Sequence, residues 1–351
     1  MSWLPYTDGL DDFEEPYSEY ADHQVRERPN PKANRPRTKR RPDHDEAVTG
    51  MVIGVDRGRY SILLKTGGKE VTVTAARARE LHKTSIVIGD RVDLVGDVSG
   101  EEGSLARIVR ILDRETLLRR SADDTDRVER VIVANADQML IVIAAANPEP
   151  RVRLVDRYLV AAYDAGLSPM ICVTKTDLQD PSDFIEHFHA LDIPVFFSNP
   201  DGFPLQQLKS ALSGHETVFV GHSGVGKSTL INALVPEAER EIGDVNVVTG
   251  RGRHTSSSSV AFAIRDSNKE RIGWVIDTPG VRSFGLGHVT QESILKGFKE
   301  LDEIMQNCPR GCTHARNAPD CALDDAIESA RLDEGGAARV NSLRRLLELN
   351  E

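Results

Sequence analysis

The residues Gly221-His222-Ser223-Gly224-Val225-Gly226-Lys227-Ser228 follow the pattern G-x-x-x-x-G-K-[ST]. Glycines in such a loop let backbone N–H groups turn inward around a phosphate, and a helix that starts there adds the positive end of its dipole. Lys227 would reach the β- and γ-phosphates, while the Ser228 hydroxyl, beside Thr229, would ligate Mg²⁺. The apolar run Val218-Phe219-Val220 precedes the loop and a helical period follows it. That strand–loop–helix context separates a phosphate loop from a chance glycine-rich match.

A phosphate loop does not choose a base. Thr174-Lys175-Thr176-Asp177 closes an apolar strand pattern and fits [NT]-K-x-D. In that element the aspartate accepts two hydrogen bonds from N1 and N2 of guanine, an edge that adenine lacks. Ser198-Asn199, just past the strand pattern Val195–Phe197, stands where a further loop would help to hold the base. Asp277-Thr278-Pro279-Gly280 follows Trp274–Ile276 and matches D-x-x-G. Its carboxylate would hold Mg²⁺ through water, and the Gly280 N–H would sense the γ-phosphate.

Between the phosphate loop and D-x-x-G lies Gly250–Ser259, a run of Gly, Arg, His, Thr and Ser with no apolar residue to anchor it. Such a segment suits a switch that orders on γ-phosphate and Mg²⁺. Either Thr255 or Ser256 would supply the metal-sensing hydroxyl. Ras-like enzymes use a Gln after D-x-x-G to orient the attacking water, but this chain has Val281 there. His254 is the candidate to replace it, the plainer alternative being a loop histidine that touches only RNA or solvent.

Cys308, Cys312, His314 and Cys321 are spaced C-x₃-C-x-H-x₆-C. Three thiolates and one imidazole suit a closed tetrahedral Zn²⁺ site with a structural role, one ion per chain. The competing reading is free cysteines. Cys172, inside an apolar run, is expected to be an ordinary buried thiol.

The elements that must position these groups are legible as patterns. From Val48 to about Leu112 the chain alternates in short segments: Met51–Val55, Tyr60–Leu64, Glu70–Thr74, Arg91–Val95 and Leu105–Leu112. Five short strands suit a small barrel, OB-like or another small-barrel type. A short helix is expected over Ala75–His82. From about Val131 apolar strand runs alternate with helical patterns: Gln138–Ala144, Val152–Ala165, Pro169–Thr174, Thr217–Val220 and Ser228–Val235, then strands at Val260–Ile264 and Ile272–Ile276. Such alternation predicts a mainly parallel sheet with helices on both faces. Beyond Gln291 the chain reads as helical, interrupted by the Cys/His cluster and ending on a helix over Ala337–Leu349.

The expected organisation is therefore multidomain. It comprises an extension over 1–47, a five-stranded OB-like β-barrel over 48–115, a central α/β P-loop GTPase fold over 116–290, and an α-helical zinc-binding domain over 291–351. The guanine-reading motif precedes the phosphate loop, whereas in Ras-like chains it comes last, so the GTPase fold is circularly permuted. Ligand groups still converge at the strand ends because the cut and the join fall in connections outside the sheet.

Of the 351 residues, 44 are Lys or Arg and 55 are Asp or Glu, a formal net charge of −11. That balance argues against a protein that coats nucleic acid indiscriminately, since such binding needs many cationic phosphate contacts. One basic stretch, Arg26 to Arg41, lies among prolines after an acidic start. Residues 1–47 carry too little apolar period to offset ordering entropy, and their basic part reads as an arm for rRNA or for solubility. The start of the chain lacks an apolar leader, and Val131–Ala146 is interrupted by Asn135, Asp137 and Gln138, so a cytoplasmic protein without a membrane span is expected.

Small barrel, permuted GTPase block and cysteine cluster together resemble the RsgA/YjeQ family of ribosome small subunit-dependent GTPases. The likeness covers roughly residues 48–330 and rests on Gly221–Thr229, on Asp277–Gly280 with Val281-Arg282-Ser283-Phe284-Gly285-Leu286, and on the zinc cluster. Departures are Thr174, Thr255-Ser256 in place of two threonines, and the N-terminal extension. The resemblance implies GTP hydrolysis to GDP stimulated by the 30S subunit, contact with its 16S rRNA, and a late role in its maturation with release of assembly factors. The protein is expected to act as a monomer. A scaffold that binds rRNA under GTP control with negligible turnover is the alternative.

Overall fold

The computed structural model describes residues 44–349, apart from 57, 82–83, 122–128, 201, 237–258, 279–283, 285 and 287–288. The acidic-then-basic extension through Asp43 lies outside the described residues.

Five strands open the described chain: β1 (Val48–Asp56), β2 (Arg59–Thr66), β3 (Lys69–Arg77), β4 (Arg91–Gly96) and β5 (Ala106–Ile111). They pair in the order β1-β2-β3-β5-β4, and β4 returns to β1, which closes the barrel. Every pairing is antiparallel except β3 with β5. Alternation drives it: Tyr60, Ile62 and Leu64 of β2 meet Val73 and Ala75 of β3, Val92 and Leu94 of β4 and Ile108 of β5 in one core. The expected helix over Ala75–His82 is corrected. Ala75–Arg77 extend β3, all three pairing with β5 and Ala75 and Ala76 also with β2, and only Arg79–Leu81 form a single 3-10 turn.

A hairpin that the sequence did not suggest follows, with β6 (Leu117–Ser121) paired to β7 (Glu129–Ala134). Arg114 fastens the barrel just before it: Nε and Nη2 donate to the two oxygens of fully buried Asp90 at 2.7 and 2.9 Å. Next come β8 (Gln138–Ala144), α1 (Val152–Ala165), β9 (Ser168–Thr174), α2 (Ser182–His189), β10 (Val195–Phe197), α3 (Leu205–Leu212), β11 (Glu216–Val220), α4 (Lys227–Leu234), β12 (Val260–Arg265) and β13 (Arg271–Asp277). The sheet order is β10-β9-β8-β11-β13-β12. The first five run parallel and β12 is antiparallel to β13.

β8 is buried throughout and feeds both faces. Met139, Ile141 and Ile143 pack toward α1. Leu140, Val142 and Ala144 join Leu208 and Leu212 of α3 and Leu230, Ile231 and Leu234 of α4. The unbroken apolar run Met139–Ala144 is what a central parallel position requires, because helices cover both its sides.

The C-terminal part contains α5 (Gln291–Leu295), α6 (Asp302–Met305), α7 (Ala322–Glu328) and α8 (Glu334–Leu347). Ile294, Phe298, Leu323, Val340, Leu343 and Leu346 share the core of α1. The last helix starts before the expected Ala337 because Asp333 caps it, its carboxylate accepting from the Gly336 N–H at 2.8 Å.

Candidate functional site

The phosphate loop leaves the sheet at Val220, whose strand lies between β8 and β13. Gly221 has no room for a side chain, since a Cβ there would come within 2.4 Å of the Val142 carbonyl oxygen. Gly224 and Gly226 have φ of 82° and 88°, the left-handed region that glycine enters at little cost. These turns deliver the chain to α4, which begins at Lys227, so the first N–H groups of that helix open onto the loop. Val225 is buried and fixes the loop from below, while His222, Ser223, Gly224, Ser228 and Thr229 face solvent.

Parallel register brings the other motifs to the same edge. Phe219 lies opposite Asp277, Ala144 opposite Thr174, and Phe197 opposite Val173, so all these motifs emerge at the carboxyl ends of neighbouring strands. Lys227 Nζ forms an ion pair with the Asp277 carboxylate. The Thr278 hydroxyl, buried, donates to the Phe219 carbonyl at 3.2 Å and ties the end of β13 to the phosphate-loop strand. Asp277 at the end of β13 and Lys227 at the start of α4 therefore meet beside the phosphate loop.

On the other side, the Thr174 hydroxyl touches two carbonyls, Ile143 O at 3.1 Å and Val225 O of the phosphate loop. Lys175 turns the chain at φ 56°, and its Nζ donates to the Asn147 carbonyl. Asp177 is exposed at the mouth. Ser198 is buried: its N–H donates to Val173 O at 2.8 Å, and its carbonyl accepts from the N–H and hydroxyl of Thr176, both at 3.3 Å. Asn199 closes a tight turn with Gly202, and its buried Oδ1 has no hydrogen-bond partner among the described residues. His254, Thr255, Ser256 and Gly280 lie outside the described residues. Sequence patterns missed the roles of Thr278 and Asn147. Thr278 occupies an unspecified place in D-x-x-G, and Asn147 belongs to no motif.

The ligand atoms of Cys308, Cys312, His314 and Cys321 all lie within 4.8 Å of one another. His314 Nδ1 is 3.6 Å from the Cys308 sulfur and 3.9 Å from that of Cys321. A Zn–S bond of ~2.3 Å gives a tetrahedron with edges of about 3.8 Å, so this donor set fits one Zn²⁺. Backbone N–H groups already point at two sulfurs, Ala322 to Cys308 at 3.3 Å and His314 to Cys312 at 3.4 Å. Burial, with the neighbouring thiols, pushes Cys308 up to about 11. Burial and the charge of Arg344 hold His314 below its ordinary value, which keeps the imidazole neutral and able to ligate. Cys172 is buried in β9, where burial pushes its thiol up to about 12, as expected of an inert core residue.

None of the described helices is long and apolar enough to cross a membrane. The RsgA GTPase family model matches residues 111–287, which include the T-K-x-D, phosphate-loop and D-x-x-G motifs. A small ribosomal subunit biogenesis GTPase RsgA of Pseudomonas syringae pv. syringae is 36% identical over 310 residues, covering 85% of this chain and 84% of that protein. Its counterpart in Pseudomonas aeruginosa is 38% identical over 292 residues, 81% of each. Two solved structures share the fold. YjeQ from Thermotoga maritima has a TM-score of 0.62 at 23% identity, covering 87% of this chain and 98% of its own. YloQ, a circularly permuted GTPase, has a TM-score of 0.60 at 24% identity, covering 89% and 99%. Closed barrel, permuted nucleotide fold, Cys₃His cluster and this degree of identity have one explanation: the chain belongs to the RsgA GTPase family and is a ribosome biogenesis GTPase.

Proposed function

We propose that this GTPase acts on the small ribosomal subunit, hydrolysing GTP to GDP and phosphate when docked on a 30S particle late in its maturation, and that hydrolysis releases assembly factors. The contact between the Thr174 hydroxyl and the Val225 carbonyl carries the nucleotide part of this reading, because it joins the guanine-reading strand end to the phosphate loop in one site. Asp177 would accept the two guanine hydrogen bonds. Each such bond to a charged group contributes about 1.5–3 kcal/mol, so the pair supports discrimination against adenine of at least ~10²-fold.

At the phosphate end, backbone N–H groups from Gly221 to Gly226 and the start of α4 would cradle the β-phosphate. Lys227 would leave Asp277 for the β- and γ-phosphates, freeing that carboxylate to act through water on a Mg²⁺ that Ser228 ligates. The ion supplies charge neutralisation between the phosphates. Thr255 or Ser256 would complete its surroundings, Gly280 would sense the γ-phosphate, and Ser198 and Asn199 would close over the base. His254 is proposed to orient the attacking water when the protein is docked on the particle, so that turnover by the free enzyme would be low. The Cys308, Cys312, His314 and Cys321 site would hold one structural Zn²⁺.

The names of the Pseudomonas relatives support the small-subunit part of this reading, to which we add contact with 16S rRNA, a cytoplasmic location and a monomeric state. Co-sedimentation with purified subunits and a non-hydrolysable GTP analogue tests it. The protein should pellet with 30S and not with 50S; equal recovery with both, or with neither, refutes it.

A further inference from the structure

The barrel meets the GTPase sheet at the β12–β13 hairpin, and it does so at both ends of that hairpin. At one end Val260 of β12 pairs with Gly54 of barrel strand β1 and, on its other side, with Asp277 of β13. A single residue therefore stands between the barrel backbone and the aspartate that faces Lys227. At the other end Arg265 and Arg271 lie directly opposite each other across the hairpin. Like charges in that relation repel and weaken an antiparallel pair. A barrel residue resolves the conflict: Glu70 of β3 accepts from Arg271 Nε at 2.8 Å with one oxygen and from Arg265 Nη2 at 3.4 Å with the other. The Arg271 guanidinium also lies 5.0 Å from the centre of the Trp274 ring.

The joint is part polar and part apolar. A cavity of about 220 Å³ opens between barrel and sheet, lined by Glu70, Arg91, Glu216, Arg271 and Trp274 among others. Arg91 of β4 pairs with Glu216 of β11 across it. Met51 and Leu63 of the barrel line the same cavity; Met51 belongs to the core that holds Ala261 and Trp274 of the hairpin, and Leu63 packs against it. Barrel and hairpin are thus held together by apolar packing as well as by the ion pairs, and close-packed side chains transmit a displacement. A bulge lies between Ile264 and Arg265, and from Ile264 onward the hydrogen-bonded register runs unbroken to the Val260–Asp277 pair, the route by which a shift at the Glu70 end would reach Asp277.

We propose that Glu70 is a positioning residue for GTP hydrolysis: it couples the barrel to the β12–β13 hairpin, so that a partner pressing on the barrel resets the Asp277 carboxylate against Lys227. This rests on the GTPase reading of the site and gives the barrel a part in turnover beyond docking. Nucleotide binding, which the phosphate loop and Asp177 supply, is independent of the link.

The test compares the parent with Glu70→Gln, Glu70→Arg, Arg271→Glu and the charge-reversed double variant Glu70→Arg/Arg271→Glu. GTP affinity and single-turnover hydrolysis, with and without 30S subunits, are measured beside amide hydrogen exchange of β12 and β13. Each single variant should keep GTP affinity within about 3-fold and lose about 10-fold of the stimulated rate, within the usual range of coupling between sites. Glu70→Gln should show the smallest loss. Exchange at 260–265 and 271–277 should quicken in the single variants, and the double variant should restore both rate and exchange. Parental rate and exchange in Glu70→Arg, or losses that the double variant does not repair, overturn the proposal. A parent that 30S fails to stimulate counts against the proposed partner instead. Exchange and intrinsic rate then decide the coupling by themselves, with restoration in the double variant supporting it and its absence overturning it.

Discussion

Asp156 of α1 and Arg345 of α8 form an ion pair at 3.1 Å, with the aspartate side chain 1% exposed. Arg345 also donates to the His187 carbonyl at 3.0 Å and lies 5.4 Å from the centre of the Phe188 ring. Its neighbour Arg344 serves the other side, donating to the His314 carbonyl at 3.2 Å and to Asp324 at 2.7 Å. Two consecutive arginines thus fasten one helix to the Cys/His cluster and to the nucleotide-binding layer.

Burial drives the Asp156 carboxyl up, and the charges of Arg345 and His187 oppose the rise. Arg345→Met would leave that carboxylate buried without its main counter-charge, and loss of one partner of a buried pair costs about 3–5 kcal/mol. The acid would respond by binding a proton in the folded state at a pH where the unfolded chain has released it. Stability of the variant should therefore fall as pH rises from the unfolded value through the raised folded value, and recover as pH is lowered. Urea unfolding should show a deficit against the parent that is smaller near about pH 5 than near about pH 7. An equal or larger deficit at the lower pH excludes this role for the pair.

Thr174→Val keeps the shape of the side chain but removes the hydroxyl that meets Val225 O. A buried carbonyl left without its donor costs about 1–3 kcal/mol, part of which the loop can relax away. Calorimetric titration should show GDP and GTP weakened alike by about 5–30-fold, since the damage is to the loop's position and not to the γ-phosphate contacts. Parental affinity for both nucleotides would mean that the hydroxyl has no such role.

Freshly purified protein should carry one zinc ion per chain. Closed zinc sites contribute on the order of 10 kcal/mol of local folding free energy, so chelation should unfold the segment around Cys308–Cys321 and leave the phosphate loop able to bind GDP. Elemental analysis without zinc, in protein that still folds in this segment, rejects the site. Cys321→Ser should lower zinc content more than it lowers nucleotide affinity.

Much of this architecture is written locally. The alternation of Tyr60, Ile62 and Leu64 announces a half-buried strand, and the unbroken Met139–Ala144 announces a central one. Ala75-Ala76-Arg77 misleads because Ala and Arg favour helix, yet pairing on both sides of β3 overrides that preference. The β6–β7 hairpin hides because Arg119 and Arg120 stand side by side where alternation would be sought. Phosphate-loop and Cys/His spacings are short-range and legible. The contacts Thr174 with Val225, Glu70 with Arg271 and Asp156 with Arg345 join distant segments of chain, and no local spacing encodes them.

Turnover of GTP by the purified protein alone, with 30S subunits and with 50S subunits tests the central claim most directly, with His254→Ala measured in parallel. The account predicts slow hydrolysis alone and with 50S, strong stimulation by 30S, and a fall of about 10²-fold in the stimulated single-turnover rate of His254→Ala at near-parental GTP affinity. If 30S leaves the parent's rate unchanged, or stimulates it no more than 50S does, the account of a GTPase working on the small subunit is contradicted. Within-few-fold hydrolysis by His254→Ala would contradict the part given to that residue alone.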